Sequence, residues 1–231
     1  HEAPPDAVAQ MARQYDCRSV SYTYTDPVAY YEYTLDCCRR AREQGLKNIL
    51  VTAGYINPAP WKELLALADA ARIDLKSMSD VFYRDICGAT LAPVLAALEM
   101  ARAQAPLVEV VHLIIPTLND DDASLTRLCR WIAQNVGPDV PLHFSRFFPE
   151  YRLKNLPPTP LQTLDRAKQI AEAEGLRYIY IGNAAERESA NTLCPACRRL
   201  LVRRSGYTVL ENNLDAGRCP SCKQEIYGIW E

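Results

Sequence analysis

Short runs rich in β-branched residues alternate with longer amphipathic runs between Pro4 and Gly182. This alternation is typical of repeated βα units around a parallel sheet. A repeat of about 30 residues favours a partial (βα) TIM-like barrel, and a doubly wound open sheet is the alternative. The six predicted strands are Arg18–Thr23, Lys47–Thr52, Arg72–Lys76, Leu107–Ile115, Pro141–Phe147 and Arg177–Gly182.

Turn and cap signals place the ends of two helices. The acidic cluster Asp120–Asp122 suits the positive start of one helix, and Gly137 suits its end. Thr159 before Pro160 predicts an N-cap followed by proline in the first turn of the next helix. Gly175 predicts where that helix ends.

Size and charge narrow the class of protein. The 231 residues can bury one core and carry a small module, and a formal net charge of -2 favours small-molecule partners over nucleic acid. We find no apolar run of about 18 residues and no signal-peptide pattern near His1, so we expect a cytoplasmic protein without a membrane partner.

Two C-x-x-C pairs lie near the end of the sequence, with a spacing of C-x2-C-x21-C-x2-C. Two such pairs supply four thiolates to one tetrahedral ion, which predicts a structural zinc ribbon in residues 189–231 after a barrel in residues 1–188. Iron in place of zinc, or disulfides, are the alternatives. The four ligands are Cys194, Cys197, Cys219 and Cys222. The remaining five cysteines are predicted to be small buried side chains.

Polar residues at the carboxyl ends of the predicted strands form the candidate site, because reactive groups collect there in both architectures. Asp74 and Lys76 are two residues apart and share a face of their strand, although a solvated rim would show the same spacing. We find no dinucleotide, P-loop or nucleophile-elbow motif. His112 and His143 leave a metal-dependent barrel hydrolase as an alternative, although the further ligands that such a site needs are not evident.

Several segments together resemble a radical S-adenosylmethionine enzyme. The resemblance is to the pyruvate formate-lyase activating-enzyme-like branch found in the AmmeMemoRadiSam system, and it covers essentially the whole chain. The segments that carry it, in order, are SYTYTDPVAYYEY, GLKNILVTAGYI, IDLKSMSDVFYRDICG, LIIPTLNDDD, HFSRFFPEYRLKNLPPTP, GLRYIYIGN and the terminal CPAC and CPSC pairs.

The resemblance implies a [4Fe-4S] cluster, S-adenosylmethionine and an electron donor as cofactors and partners. The reduced cluster would cleave S-adenosylmethionine to a 5′-deoxyadenosyl radical that abstracts hydrogen from a substrate, either a protein glycine or a small molecule. Such an enzyme is an oxidoreductase. The implied cofactor-binding residues are Tyr24, Thr25, Asp26, Thr52, Asp74, Lys76, Ile115, Ser145 and Arg146.

Three departures from the family pattern affect these expectations. Asp26 stands where the family commonly has Glu, and Thr117 stands where we expect Gly. The cluster motif C-x-x-x-C-x-x-C does not occur in the sequence, so we expect a C-terminal fragment that lacks the first strand and is inactive alone. A zinc-ribbon module that docks on protein or binds nucleic acid is the remaining alternative.

Overall fold

The computed structural model describes residues 3–184, 190–206 and 208–230. The predicted boundary between residues 188 and 189 therefore lies outside the described residues. The chain divides into two compact units, the first within residues 1–75 and 87–109 and the second within residues 76–86 and 110–231. Each unit is built from parallel strands and helices.

The first unit contains three parallel strands and four helices. The strands are β1 (Ser19–Tyr22), β2 (Lys47–Thr52) and β3 (Ala70–Asp74), and the helices are α1 (Pro5–Gln14), α2 (Tyr31–Glu43), α3 (Pro58–Leu65) and α5 (Leu91–Gln104). A 3-10 turn, Pro27–Tyr30, leads into α2. Register pairs such as Tyr22 with Leu50 and Val51 with Arg72 align the three strands.

The two faces of the first unit's strands differ in burial. Leu50 and Ile73 are fully buried on one face, and Asn48 on that face donates to the Cys38 carbonyl of α2 (2.9 Å). The alternate residues Val51, Arg72 and Asp74 are only half-buried. A parallel sheet covered on both sides would bury both sets. We call the half-buried face of β1–β3 the open face.

The second unit contains three further parallel strands and a small antiparallel sheet. Its elements are α4 (Asp80–Phe82) with the π-helical turn Tyr83–Cys87, β4 (Leu107–Ile114, shared with the first unit), α6 (Asp122–Trp131) with the π-helical turn Ile132–Val136, β5 (Leu142–Arg146), α7 (Leu161–Ala173), β6 (Ile179–Gly182), β7 (Thr192–Leu193), β8 (Leu200–Ser205) and β9 (Thr208–Asn212). We call residues 190–206 and 208–230, with β7–β9, the ribbon.

All six predicted parallel strands are confirmed, and their order in the sheet is the order of the chain. A doubly wound sheet reverses its strand order at a switch point, so chain order favours barrel-like winding. The third strand lies two residues earlier than predicted, at Ala70–Asp74. Its alternation of half-buried and buried residues begins at Ala70, whereas the sequence pattern placed the strand's start at Arg72.

The start of α7 differs from the prediction. The helix begins at Leu161 with Pro160 at the N-cap position. Thr159 is fully buried; its hydroxyl donates to the Ile114 carbonyl (2.6 Å) and accepts from the Phe147 amide (2.8 Å). The predicted N-cap is therefore wrong, because the Thr159 hydroxyl joins the ends of two neighbouring strands instead.

The other helix signals are confirmed. Asp121 is the N-cap of α6 and accepts from the Ser124 amide (2.9 Å). Gly137 (φ 122°) and Gly175 (φ 90°) end their helices in backbone conformations that favour glycine. Among the described residues, no single helix is long and apolar enough to cross a membrane, although the bent pair Asp80–Cys87 and Leu91–Gln104 would pass on length and composition.

Candidate functional site

The loop after β1 is held by the carboxylate of Asp26. Oδ1 accepts from the Thr52 hydroxyl (2.6 Å) and from the Val28 amide (3.3 Å), which caps the 3-10 turn. Oδ2 accepts from the Ala53 amide (2.8 Å). Asp26 thereby ties the end of β1 to the end of β2.

This arrangement limits what Asp26 can bind in addition. A carboxylate offers about four acceptor positions, and three are occupied within the chain. One remaining position suits a single donor such as an ammonium. Thr52 is buried on the helix-covered face of β2, and its hydroxyl also accepts from the Gly54 amide (3.0 Å). Thr52 therefore acts on Asp26, and no ligand contact by Thr52 is needed to explain its position.

The other predicted residues of the first unit are more open. Tyr24 has a left-handed backbone (φ 53°) and is 99% exposed. The Thr25 hydroxyl donates to the Tyr24 carbonyl (3.0 Å), which stabilises that turn. Asp74 ends β3 on the open face, two residues after Arg72. The predicted contacts of Tyr24, Thr25 and Asp74 with S-adenosylmethionine remain predictions.

In the second unit, Asn119 joins the residues around Lys76 and Ile115. The Ile115 amide donates to Asn119 Oδ1 (2.7 Å), and Asn119 Nδ2 donates to the carbonyls of Lys76 and Leu113 (2.9 Å each). The side chain of Asn119 is buried, with 2% exposure. Asn119 is not among the predicted site residues, although an asparagine in a turn is a known signal for side-chain bonds to the backbone.

Thr117 shows why the turn tolerates the absence of glycine. Its φ of 70° is in the left-handed region that glycine favours. The Thr117 amide donates to Asp120 Oδ1 (2.8 Å), which helps to hold this conformation. The turn therefore keeps a glycine-like backbone with threonine in place.

Ser145 and Arg146 have different surroundings at the end of β5. Ser145 pairs with Gly182 of β6, where an added Cβ would lie 3.5 Å from Ser145 Oγ. Arg146 Nε donates to the Thr159 carbonyl (2.9 Å), and the guanidinium lies over the Phe148 ring (4.9 Å). Part of the Arg146 fork thus stabilises the connection into α7.

The two histidines of the hydrolase alternative lie on opposite faces of the sheet. His112 pairs with Phe144 in the β4–β5 register, whereas His143 pairs with Val111 and Tyr180. Neighbouring residues of a strand point to opposite faces, so His112 and His143 cannot bind one metal ion. The barrel-hydrolase alternative therefore lacks its site.

The four ribbon cysteines come together as predicted. Their sulfur atoms all lie within 4.8 Å of one another, with 3.5 Å between Cys194 and Cys222 and 3.7 Å between Cys197 and Cys219. Among the described parts of the chain, this is the one group of three or more potential ligands that could hold a metal ion. The pKa of Cys219 is lowered to about 6 by backbone amide donors, first that of Cys222 and then that of Ser221.

The two cysteine-bearing turns, residues 194–198 and 219–223, have the same backbone conformation, and we call them the knuckles. Arg198 (φ 62°) and Lys223 (φ 60°) each follow the second cysteine of a pair in a left-handed conformation. The Arg198 amide donates to the Cys194 carbonyl, and the Lys223 amide donates to the Cys219 carbonyl (2.9 Å each). The repeat positions both thiol pairs for one ion.

The ribbon shares its core with β6. Cys194, Cys219 and Ile226 are buried in one apolar cluster with Tyr178, which directly precedes β6. Burial raises the pKa of Tyr178 to about 12, and the Tyr227 amide donates to its hydroxyl (3.4 Å). The cysteine group is therefore built into the core of the second unit.

The other cysteines do not form a cluster site. Cys37, Cys38 and Cys129 are buried as predicted, and burial raises the pKa of Cys38 and of Cys129 to about 12. Cys87 is half-buried, but Cys17 is exposed, so the prediction of burial is wrong for Cys17 because it lies in the loop between α1 and β1. These five cysteines do not come together as the ligands of a [4Fe-4S] cluster.

Comparisons with known proteins agree with this fold. An uncharacterized protein of Methanocaldococcus jannaschii is 42% identical over 227 residues, which are 97% of this chain and 67% of that protein. The pyruvate formate-lyase 1-activating enzyme of Escherichia coli K12 is 24% identical over 161 residues, with 64% of this chain and 65% of that enzyme covered. The chain thus spans about two thirds of the length of these relatives.

A solved structure shares the architecture. It is a domain of a pyruvate-formate lyase-activating enzyme from Bacteroides vulgatus, with a TM-score of 0.63 and 17% identity, covering 71% of this chain and 99% of that domain. The profile of the Radical SAM superfamily matches residues 1–129, which is more than half of the sequence. With its parallel sheet wound in chain order, the chain belongs to the Radical SAM superfamily.

Proposed function

We propose that this chain binds and orients S-adenosylmethionine in an enzyme of the pyruvate formate-lyase activating-enzyme-like branch, within the AmmeMemoRadiSam group. The observation that carries the proposal is the family match over residues 1–129, which contains the carboxylate network of Asp26 and the open-face carboxylate of Asp74. Similarity to the E. coli activating enzyme supports the choice of branch.

S-adenosylmethionine would supply a 5′-deoxyadenosyl radical after one-electron reduction at an iron-sulfur cluster, for hydrogen abstraction from a protein glycine or a small molecule. In this proposal, Asp26 uses its remaining acceptor position for the amino group of the methionine part, and Asp74 accepts from ribose hydroxyls. Lys76, Ile115, Ser145 and Arg146 keep the cofactor-binding roles that the resemblance implies.

The ribbon metal in this proposal is one structural zinc ion. At a Zn–S distance of about 2.3 Å, tetrahedral geometry separates the sulfurs by about 3.8 Å. The observed separations of 3.5 and 3.7 Å agree with a single ion, whereas a four-iron cluster holds its cysteine sulfurs farther apart. All four positions are filled by protein, which leaves none for substrate.

The ribbon is less suited to the alternative of nucleic-acid binding. Residues 194–231 contain six Lys or Arg against four Asp or Glu, a small excess of positive charge. Several of these cations are also paired, including Arg203 with Glu211 and Lys223 with Asp215.

We propose a cytoplasmic enzyme whose partners are S-adenosylmethionine, an electron donor and its substrate.

The proposal is tested by reductive cleavage of S-adenosylmethionine. Because C-x-x-x-C-x-x-C does not occur in these 231 residues, the assay needs a form of the protein that also carries such a loop. After anaerobic reconstitution and reduction, we expect 5′-deoxyadenosine, measured by liquid chromatography, and none when the loop cysteines are replaced by alanine. An intact cluster, verified by its spectrum, that gives no 5′-deoxyadenosine would contradict the proposal.

A further inference from the structure

Arg72 lies in the middle of β3 and belongs to the open face of the first unit. It is half-buried, pairs with Val51 of β2 and precedes Asp74 by two residues on the same face. The Nε atom of Arg72 is buried and has no hydrogen-bond partner among the described residues. A permanently charged side chain thus occupies a partly enclosed face with a buried donor unsatisfied.

The unsatisfied Arg72 Nε destabilises the folded chain unless a ligand supplies an acceptor for it. A buried donor without an acceptor is unfavourable, and the cost is larger when the donor is charged. Buried donors are almost always satisfied in native proteins, so an exception requires an explanation. Asp74 lies two residues later on the same face, and the Arg72 Nε still has no acceptor among the described residues.

The guanidinium of Arg72 favours an oxyanion as its ligand. Its planar fork of donors matches the two oxygens of a carboxylate or phosphate group. Arg72 lies two residues before Asp74, so it is farther than Asp74 from the carboxyl end of β3. An anion bound by Arg72 would therefore contact a deeper part of the open face than a ligand bound by Asp74.

We propose that Arg72 binds the carboxylate or phosphate group of the enzyme's own substrate, which is a small anionic molecule. The inference rests on the proposed function, because it takes Asp74 as a contact of S-adenosylmethionine and assigns the deeper position to the second reactant. Arg72 then determines specificity by rejecting substrates that have no oxyanion.

The experiment titrates the 231-residue chain with inorganic phosphate and, separately, with acetate at constant ionic strength. Binding is followed by calorimetry and by the melting temperature. We expect saturable binding with a dissociation constant of about 1 to 10 mM for the preferred anion. The preference between the two probes distinguishes a phosphate-bearing from a carboxylate-bearing substrate.

Three variants separate anion binding from a structural role. Arg72→Gln should weaken binding at least tenfold, and Arg72→Lys should weaken it less because the charge stays while the fork is lost. The control Arg39→Gln, which changes an exposed arginine paired with Asp36 of the same helix, should bind like the wild type. Without ligand, Arg72→Gln should melt at the wild-type temperature or above it, because an unsatisfied buried donor is removed.

The outcomes distinguish this inference from the proposed function. S-adenosylhomocysteine, measured with the same variants, should bind to Arg72→Gln as it does to the wild type. If Arg72→Gln leaves anion binding unchanged, loses S-adenosylhomocysteine as well, or melts at least about 5 °C lower without ligand, the inference is wrong. Arg72-dependent anion binding by a wild-type chain that does not bind S-adenosylhomocysteine would contradict the proposed function and leave the anion site standing.

Discussion

Replacing Cys194 with serine is expected to remove the metal from the ribbon and to destabilise the second unit. A ligand that binds only the folded state stabilises it by about 4 kcal/mol when its free concentration is 1,000 times the dissociation constant. Because Cys194 shares an apolar cluster with Tyr178, the loss should extend to β6. Metal analysis, denaturant unfolding and hydrogen exchange of residues 178–182 measure these effects.

The matched control is Cys17→Ser, which changes an exposed cysteine of the first unit. This variant should keep one metal ion per chain and the wild-type stability. Addition of a chelator to the wild type should reproduce the Cys194→Ser phenotype. A Cys194→Ser protein that retains one ion and unfolds like the wild type would show that Cys194 is not a ligand.

Asn119→Ala is expected to lower the free energy of unfolding by about 3 kcal/mol, because one buried and two part-buried backbone hydrogen bonds are lost. These bonds join Asn119 to the amide of Ile115 and to the carbonyls of Lys76 and Leu113. Asn119→Asp should also be destabilised, since its carboxylate still accepts from Ile115 but cannot donate to the two carbonyls. Equilibrium denaturation in urea measures both variants.

Asn135→Ala is the control for this prediction. Asn135 is exposed and makes a single bond to the Trp131 carbonyl (2.9 Å), so its loss should change stability by about 0.5 kcal/mol or less. If Asn119→Ala unfolds at the same urea concentration as Asn135→Ala, the described bonds of Asn119 do not hold the turn.

The strands were predictable because their signals are local. The run from Leu107 to Ile114 is nearly all apolar, as expected for a strand in the middle of a parallel sheet. The C-x-x-C spacing likewise predicted that the four ribbon cysteines come together, since the two knuckles need only their own backbone turns to position the thiols. Glycine and aspartate similarly predicted the ends of α6 and the end of α7.

The missed features depend on contacts between distant parts of the chain. Thr159 has the sequence context of a helix cap, but its hydroxyl bonds the Ile114 carbonyl, 45 residues earlier. Asn119 bonds the carbonyl of Lys76, 43 residues earlier. Local propensity cannot reveal such bonds, because threonine and asparagine both occur often in helix caps and in turns.

The candidate cofactor site was predicted by resemblance rather than by chemistry read from spacing. The resemblance placed Thr52 at the cofactor site, which stays a prediction, and the structure adds that its hydroxyl donates to Asp26. The sequence pattern marks Arg72 only as the first residue of a predicted strand. Its importance follows from which face of β3 it occupies, and that depends on the register with β2.

The central claim is that this chain binds S-adenosylmethionine through the carboxylates of its first unit, and calorimetric titration of the 231-residue chain tests it most directly. We predict saturable 1:1 binding, weakened about tenfold or more by Asp26→Asn and by Asp74→Asn, from the loss of one charge-assisted hydrogen bond each. Glu63→Gln, which changes an exposed carboxylate bonded to Tyr31, should bind like the wild type. Absence of binding by the folded wild-type chain, or equal affinity in all three variants, would contradict the account.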